Sequence, residues 1–150
     1  MSTIETVYDT FTDKVAAALT GYARIANPYD LADNPDIILR KGYGVAIGPG
    51  TNTERFVGCI ATWEANFVVG IILQVASTEN NVDGRSTTER NLLEGVEALL
   101  IAFENDPSLS GNVIKAVVNS HSGIQYIPGE RGKYVAIEID FTVEYLQTLS

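Results

Sequence analysis

Apolar residues along the first part of the chain fall at helical intervals. Ile4, Val7, Tyr8, Phe11, Val15, Leu19 and Tyr22 recur every three or four positions, which gathers them into one stripe of an amphipathic helix. Ser2 and Glu5 stand at capping-box spacing at its start, and Gly21 is the expected stop. Pro28, Asp30, Asp33, Asn34, Pro35 and Asp36 follow. Each proline biases its preceding residue away from helix, so 27–41 reads as a loop.

The period then shortens. Tyr43 to Ile47 reads as a strand closed by Gly48-Pro49-Gly50, with 51–54 as a turn. Arg55 to Trp63 and Phe67 to Ser77 read as two further strands joined through Glu64-Ala65-Asn66, a connection of hairpin length. The second is almost continuously apolar (Val68, Val69, Ile71, Ile72, Leu73, Val75), as expected of a central strand covered on both faces. Residues 78–85 are polar and read as a loop. A second helix is expected from Ser86, with Glu89 at capping-box spacing. Its stripe is Leu92, Leu93, Val96, Leu99, Leu100 and Phe103, and Asn105-Asp106-Pro107 ends it. Gly95 inside this helix costs about 1 kcal/mol relative to alanine, which a close approach by another backbone would explain.

Asn112 to Asn119 and Tyr134 to Tyr145 read as the closing strands, separated by a loop over 119–132 rich in glycine and serine. The last strand alternates cleanly. Val135, Ile137, Ile139, Phe141, Val143 and Tyr145 face one way, and Tyr134, Ala136, Glu138, Asp140, Thr142 and Glu144 the other. One helix between two strand runs is not a repeated βαβ alternation. The pattern predicts an α+β fold in one domain over 1–150: a mostly antiparallel sheet with both helices on one face, in the order helix, three strands, helix, two strands. The loops at 27–41 and 119–132 are longer than compact packing needs, and such loops often carry contacts.

Composition narrows the chemistry. The 150 residues are 45% hydrophobic, with ten basic against nineteen acidic residues for a formal net charge of −9. That is enough chain for a core without staples. The single cysteine, Cys59, excludes an internal disulfide and a cysteine-based zinc site. With one histidine, a metal site would have to be almost all carboxylate. The acidity argues against gripping a nucleic-acid backbone, which is done by Lys and Arg. Met1-Ser2-Thr3-Ile4-Glu5 has neither the basic nor the apolar stretch of a signal peptide, and the run from Phe67 to Leu73 is too short to span a bilayer. These features predict a soluble intracellular protein.

Catalytic patterns are weak. Gly42-Tyr43-Gly44-Val45-Ala46-Ile47-Gly48 has the outline of a dinucleotide fingerprint, but the spacing is wrong and no helix follows. Its glycines read as shaping strand ends. His121, flanked by Ser120 and Ser122, is the default acid–base candidate, yet no nucleophile-elbow pattern accompanies it. It reads as a solvated loop residue. Cys59 reads as a small buried hydrophobe within a strand. Glu138, Asp140 and Glu144 project to one side of the last strand and form a candidate acidic face. It reads as a solvated or subunit-facing sheet surface, with Arg131 and Lys133 placed to neutralise its near end. A carboxylate-dependent enzyme or ligand-binding module using His121 with Glu138 or Asp140 is the alternative.

The layout of the whole chain resembles the tail terminator (tail completion) proteins of long-tailed bacteriophages. The resemblance is carried by the first helix and the strand Arg40-Lys41-Gly42-Tyr43-Gly44 opening into Gly48-Pro49-Gly50-Thr51-Asn52-Thr53. It continues through the hairpin Arg55 to Ser77, the helix Arg85 to Phe103 leading into Glu104-Asn105-Asp106-Pro107-Ser108-Leu109-Ser110-Gly111, and the closing strand Ile137 to Leu146. It implies a structural virion protein without catalysis or cofactor, located at the tail end or neck and assembled in the host cytoplasm. Copies would form a hexameric ring that caps the tail tube, stops its polymerisation and meets the head-tail connector or stopper protein while DNA passes through. Head-closure, tail-adaptor and minor tail proteins share the same style of small sheet with flanking helices and are alternatives. Under this reading the loops 48–55, 78–85 and 119–132 supply ring and axial contacts. The candidates there are Gly48, Pro49, Gly50, Asn52, Arg55, Asn81, Arg85, Gln125, Tyr126 and Arg131, and the acidic face lines a channel that repels phosphate.

Overall fold

The computed structural model describes residues 3–25, 41–55, 60–75, 82–129 and 132–148. Helix α1 spans Ile4–Ala18, and α2 spans Val82–Asn105. The strands are β1 (Ala23–Arg24), β2 (Lys41–Arg55), β3 (Ile60–Val75), β4 (Lys115–His121), β5 (Gln125–Gly129) and β6 (Gly132–Thr148). They form one six-stranded sheet in the order β1-β2-β3-β6-β4, with β5 also paired to β6. All pairings are antiparallel except the short β1–β2 contact. The α+β class and the helix, strands, helix, strands order are as the sequence pattern predicts.

β3 and β6 bury most of their odd-numbered residues. Phe67, Val69 and Ile71 of β3 and Ile137, Ile139, Phe141 and Val143 of β6 are fully buried. They pack in one cluster with Val7, Phe11, Val15 and Leu19 of α1 and Leu92, Leu99 and Phe103 of α2. Both helices therefore cover the same sheet face. At its centre four rings meet, one each from α1, β3, α2 and β6. Phe11 lies 4.6 Å from Phe67 and 5.1 Å from both Phe103 and Phe141, and Phe103 lies 4.6 Å from Phe141. On the opposite face, Ile72, Tyr134 and Ala136 make a second small cluster with Ile25 and Ile127 against it. The continuous apolar run in β3 is thus covered on both faces at Ile72, which is buried there.

Several boundaries differ from the sequence expectation. β1 is an additional strand at Ala23–Arg24, and β4 runs Lys115–His121 instead of Asn112 to Asn119, which puts His121 at a strand end and not in a loop. Glu64-Ala65-Asn66 is not a turn but the middle of β3, paired with Thr51 and Gly50 on one side and with Glu144, Val143 and Thr142 on the other. Its two polar residues lie on the face without helices, where alternation places them, and two polar residues flanking an alanine imitate a loop. Residues 56–59, between β2 and β3 and including Cys59, lie outside the described residues. Gly48-Pro49-Gly50 and 51–54 likewise belong to β2, since the strand passes through them by register shifts between Ile47 and Gly50 and between Asn52 and Glu54. Residues 125–129 of the expected 119–132 loop form β5, so three strands follow α2. Finally, α2 starts at Val82, ahead of Ser86, and takes the end of the expected 78–85 loop into helix. The expected loop at 27–41 lies outside the described residues except for Lys41, which begins β2.

Local chemistry explains the helix ends. Thr3, not Ser2, is the N-cap of α1, its hydroxyl accepting from the Thr6 N–H at 3.2 Å. Helix α1 stops at Ala18, and Gly21 takes φ +88° in the turn beyond, where a side chain would be strained. The turn carries Tyr22 onto α2. A Cβ at Gly95 would lie 2.9 Å from the Tyr22 hydroxyl oxygen and 3.6 Å from Leu19 Cδ2, so the close approach is made by side chains and not by a backbone. Burial, and then the Glu94 carboxylate, push the Tyr22 phenol above its usual pKa and keep it neutral.

This contact gives a double-mutant test. Gly95→Ala alone sets the helix-propensity gain of about 1 kcal/mol against displacement of Tyr22. In a Tyr22→Phe background the nearest obstruction, the hydroxyl oxygen, is gone. Urea denaturation should show Gly95→Ala stabilising the Tyr22→Phe variant by about 0.5–1 kcal/mol and giving no gain in the parent, a coupling on the order of 1 kcal/mol.

Candidate functional site

The even-numbered residues of β3 and β6 form the sheet face that the helices leave uncovered. On it the predicted acids Glu138, Asp140 and Glu144 are brought together with a fourth, Glu64, which stands directly opposite Glu144 in the β3–β6 ladder. Glu64 was hidden in the sequence by its reading as a turn residue, although its alternation with Ala65 and Phe67 carries the strand signal. Like charges directly opposite each other destabilise a ladder. Lys115 on β4, paired with Glu144 from the other side, places its ammonium 3.8 Å from Glu144 Oε2. The pair is open to solvent, so it contributes little net stability, but it decides which cation neutralises this end of the face. Lys133 does not serve that role. It stands opposite Val75 on the helix-covered side of the ladder, and Arg131 lies outside the described residues.

The other two acids are tied to the end of β4. Ser120 Oγ donates to Asp140 Oδ2 at 3.3 Å. Ser122 holds the Glu138 backbone from both sides, its N–H donating to Glu138 O at 2.9 Å and its hydroxyl accepting from Glu138 N at 3.0 Å. Glu138 stands opposite Gly70 and Asp140 opposite Val68. The face is therefore a row of half-exposed carboxylates on a floor of glycine and valine, grading into the apolar cluster around Ile72.

His121 is not brought to these acids. It pairs with Ile139, so strand alternation points its Cβ to the opposite side of the sheet from Glu138 and Asp140. The imidazole is exposed, and its Nδ1 accepts the Gly123 N–H at 3.0 Å. Among the described residues, no three His, Cys, Asp or Glu side chains are grouped closely enough to hold a metal ion, and no helix is long and apolar enough to cross a membrane. Gly42 and Gly44 lie within β2 and not at a turn, so they belong to a strand, as the sequence pattern indicated, but do not end it.

The candidate contact residues divide between two edges of the sheet. Gly48 and Pro49 together oppose Asn66 in a two-against-one bulge. A Cβ on Gly48 would fall 2.6 Å from Asn66 Oδ1, so glycine is required for the Asn66 side chain to sit there and donate to Phe141 O at 3.3 Å. Pro49, with no N–H, is tolerated at a bulge on an edge strand. Gly50, Asn52 and Arg55 continue β2 opposite Ala65, Trp63 and Ala61. Gln125 and Tyr126 lie across the sheet on β5, opposite Ala136 and Val135. The Tyr126 ring is half exposed, and its hydroxyl donates to the Glu89 carboxylate of α2. Arg85 lies in the first turn of α2, and Asn81 falls outside the described residues.

The segment following α2 has its own electrostatic lock. Leu109, Ser110 and Gly111 adopt successive positive φ values of 49°, 59° and 86°, a costly run for non-glycine residues. Asp106 holds it, accepting from Ser110 N at 2.9 Å and from Ser110 Oγ at 3.3 Å while pairing with Lys14 of α1 at 3.2 Å. The Ser110 N–H first, and then Lys14, hold the Asp106 carboxyl below its ordinary pKa.

No family model matches the chain, and no curated protein sequence matches it. A chain in the solved structure of the virion of a native gene transfer agent particle is similar over 93% of this chain and 91% of that chain, at 15% sequence identity and a TM-score of 0.48.

A carboxyl with a lowered folded-state pKa stabilises the fold above its unfolded value, about 3.9 for aspartate, and that contribution is lost as pH falls through the folded value. Asp106→Asn should therefore lower Tm at neutral pH. Thermal melts of parent and variant should converge in the acid range, below the ordinary aspartate value; a gap that stays constant with pH would assign the effect to the hydrogen bonds alone.

Proposed function

We propose that this chain is a structural protein of a phage-type virion and acts as a tail terminator. Copies form a hexameric ring on the end of the tail tube, stop its polymerisation and present a surface to the head-side connector while DNA passes through the centre. The reading draws on the resemblance of element order and closing strand set out above. The observation that carries it is the one-sided sheet: both helices pack on one face, and the other presents Glu64, Glu138, Asp140 and Glu144 in adjacent rows. A subunit that turns such a face inward surrounds DNA with carboxylates, which repel phosphate and let the duplex slide without a grip. The partners are further copies of the chain, the tail tube protein and the connector or stopper protein. The contact candidates on β2, α2 and β5 lie at the sheet edges and helix ends, where neighbours in a ring would meet.

Solution mass and negative-stain imaging, alone and on tail tubes, test the reading directly. The expected result is a ring with a central hole and tubes of uniform length in its presence. Neither rings nor any effect on tube growth would overturn it. The acidic face has a separate readout. The parent ring should not retain duplex DNA, whereas a Glu138→Lys/Asp140→Lys/Glu144→Lys ring should bind it with a steep loss of affinity as salt rises. A reversed ring that stays as indifferent to DNA as the parent would remove this face from the channel.

A further inference from the structure

The sheet ends on two unlike edges. On one side, β1 covers β2 only at Gly42 and Tyr43, and Ile25 N donates to Tyr43 O. Tyr43 thus turns its backbone groups outward, and alternation turns those of Val45 and Ile47 the same way. Among the described residues no strand pairs with them. On the other side, the outer edge of β4 has no strand neighbour among the described residues either. Ala116 N–H is taken by Pro107 O at 2.7 Å, and Val118 follows it on the same edge.

Beside this second edge lies an apolar groove of about 420 Å³ between α2 and β4, lined by Leu100, Phe103, Pro107, Ala116 and Val118 with Glu104 on its rim. Val117 also lines it at 39% exposure, and Glu97 of α2 is exposed one turn before Leu100. The first edge carries the complement. Ile47, on the helix side of β2, is 46% exposed. Arg24 and Lys41 are exposed toward the other end of the same edge, Arg24 opposite Tyr43. Arg24 is oriented by Tyr8, to whose hydroxyl it donates at 2.7 Å, and Lys41 lies 5.5 Å from the Tyr22 ring centre. One edge is apolar with a basic end, and the other is apolar with an acidic rim.

We propose that the groove between α2 and β4 receives the β2 edge of a second copy of this chain. The proposal rests on the ring reading above and names its subunit contact. Successive antiparallel pairings from β2 through β3 and β6 to β4 leave the two outer edges running in opposite directions. A neighbour related by rotation, with its helices on the same side, therefore offers β2 antiparallel to β4. Val45 then lies along Val118, and Ile47 reaches over the groove beside Ala116, whose N–H stays with Pro107 O, while the Arg24–Lys41 end of one copy falls at the Glu97 end of the other. Lys115, at the far end of β4, is engaged with Glu144 of its own chain. The Gly48–Pro49 bulge ends the shared ladder, since proline offers no N–H and the strand bends there. The contact joins unlike surfaces, so it is heterologous and closes only as a ring.

Cross-linking and charge exchange test the contact. In a Cys59→Ser background, Ile47→Cys/Leu100→Cys treated with a short bismaleimide should give a ladder of linked multimers, and each single cysteine none. Val45→Pro removes an outward N–H without touching the β2–β3 ladder and should weaken self-association at least about tenfold in sedimentation experiments. Because Val45→Pro could also disturb β2, Glu97→Lys provides a second route to the same loss, and adding Arg24→Glu/Lys41→Glu should restore association. Circular dichroism melts check that each variant folds. Rings that form without cross-links and ignore the charge changes would overturn this contact and leave the ring reading standing. No self-association up to about 1 mM and no ring on tail tubes would overturn both.

Discussion

Phe67 and Phe141 stand directly opposite each other in the β3–β6 ladder, and Phe11 and Phe103 close over them from the two helices. This four-ring contact is where every layer of the protein meets. Aromatic pairs of this kind contribute about 0.5–1.5 kcal/mol each beyond the area they bury, but their larger effect is on register. A slip of one residue between β3 and β6 would turn Phe67 or Phe141 to the uncovered face and bring a neighbouring Asn66, Val68, Asp140 or Thr142 under the helices. Burying a carboxylate there without a partner costs far more than the rings contribute. The register is thus held from both sides, by what must be inside and by what must not.

The same register builds the candidate site. Because the rings set the odd residues inward, Glu64, Glu138, Asp140 and Glu144 are set outward together, and the face they form is a consequence of the core. It needs no separate device beyond Lys115, which relieves the Glu64–Glu144 opposition, and the two serines that tie β4 to Glu138 and Asp140. Under the proposed function, a protein that guides a polyanion without holding it asks for this kind of surface: fixed in position by a rigid sheet and mainly acidic, with Lys115, the one cation placed on it among the described residues, engaged by Glu144. The net charge of −9 therefore has a location for part of its excess.

Periodicity made much of this legible. The α1 stripe through Phe11 and the alternation through Phe141 were sufficient to name the inward residues and the acids Glu138, Asp140 and Glu144, because each signal lies within one element. What was not legible depended on pairing between elements. Glu64 joins the acids only through its partner Glu144, and two polar residues at 64 and 66 look like a turn until a neighbouring strand spans them. Gly48-Pro49 reads as a strand end, whereas the strand absorbs it as a bulge because Asn66 fills the space that glycine leaves. β5 was lost for a similar reason, since Gln125-Tyr126-Ile127-Pro128-Gly129 is short, ends in proline and glycine, and becomes a strand only beside β6.

The bulge also bears on how far the sheet can grow. An unpaired edge is a standing invitation to further pairing, and proteins restrict it by bulges, prolines, charges or short strands. Here the restriction is uneven. β4 is a short strand with Lys115 at one end and one outward donor occupied by Pro107. β2 is long, but its outer edge is interrupted at Gly48 and Pro49, which leaves a short stretch between β1 and the bulge. Two short edges of opposite direction suit a contact of fixed register better than open-ended stacking. An uninterrupted β2 edge would allow several registers, each with a different angle between neighbours, and a ring closes only at one angle. Under the proposed edge contact, Gly48 and Pro49, which look like defects in the edge strand, are the residues that would hold neighbours to a single angle.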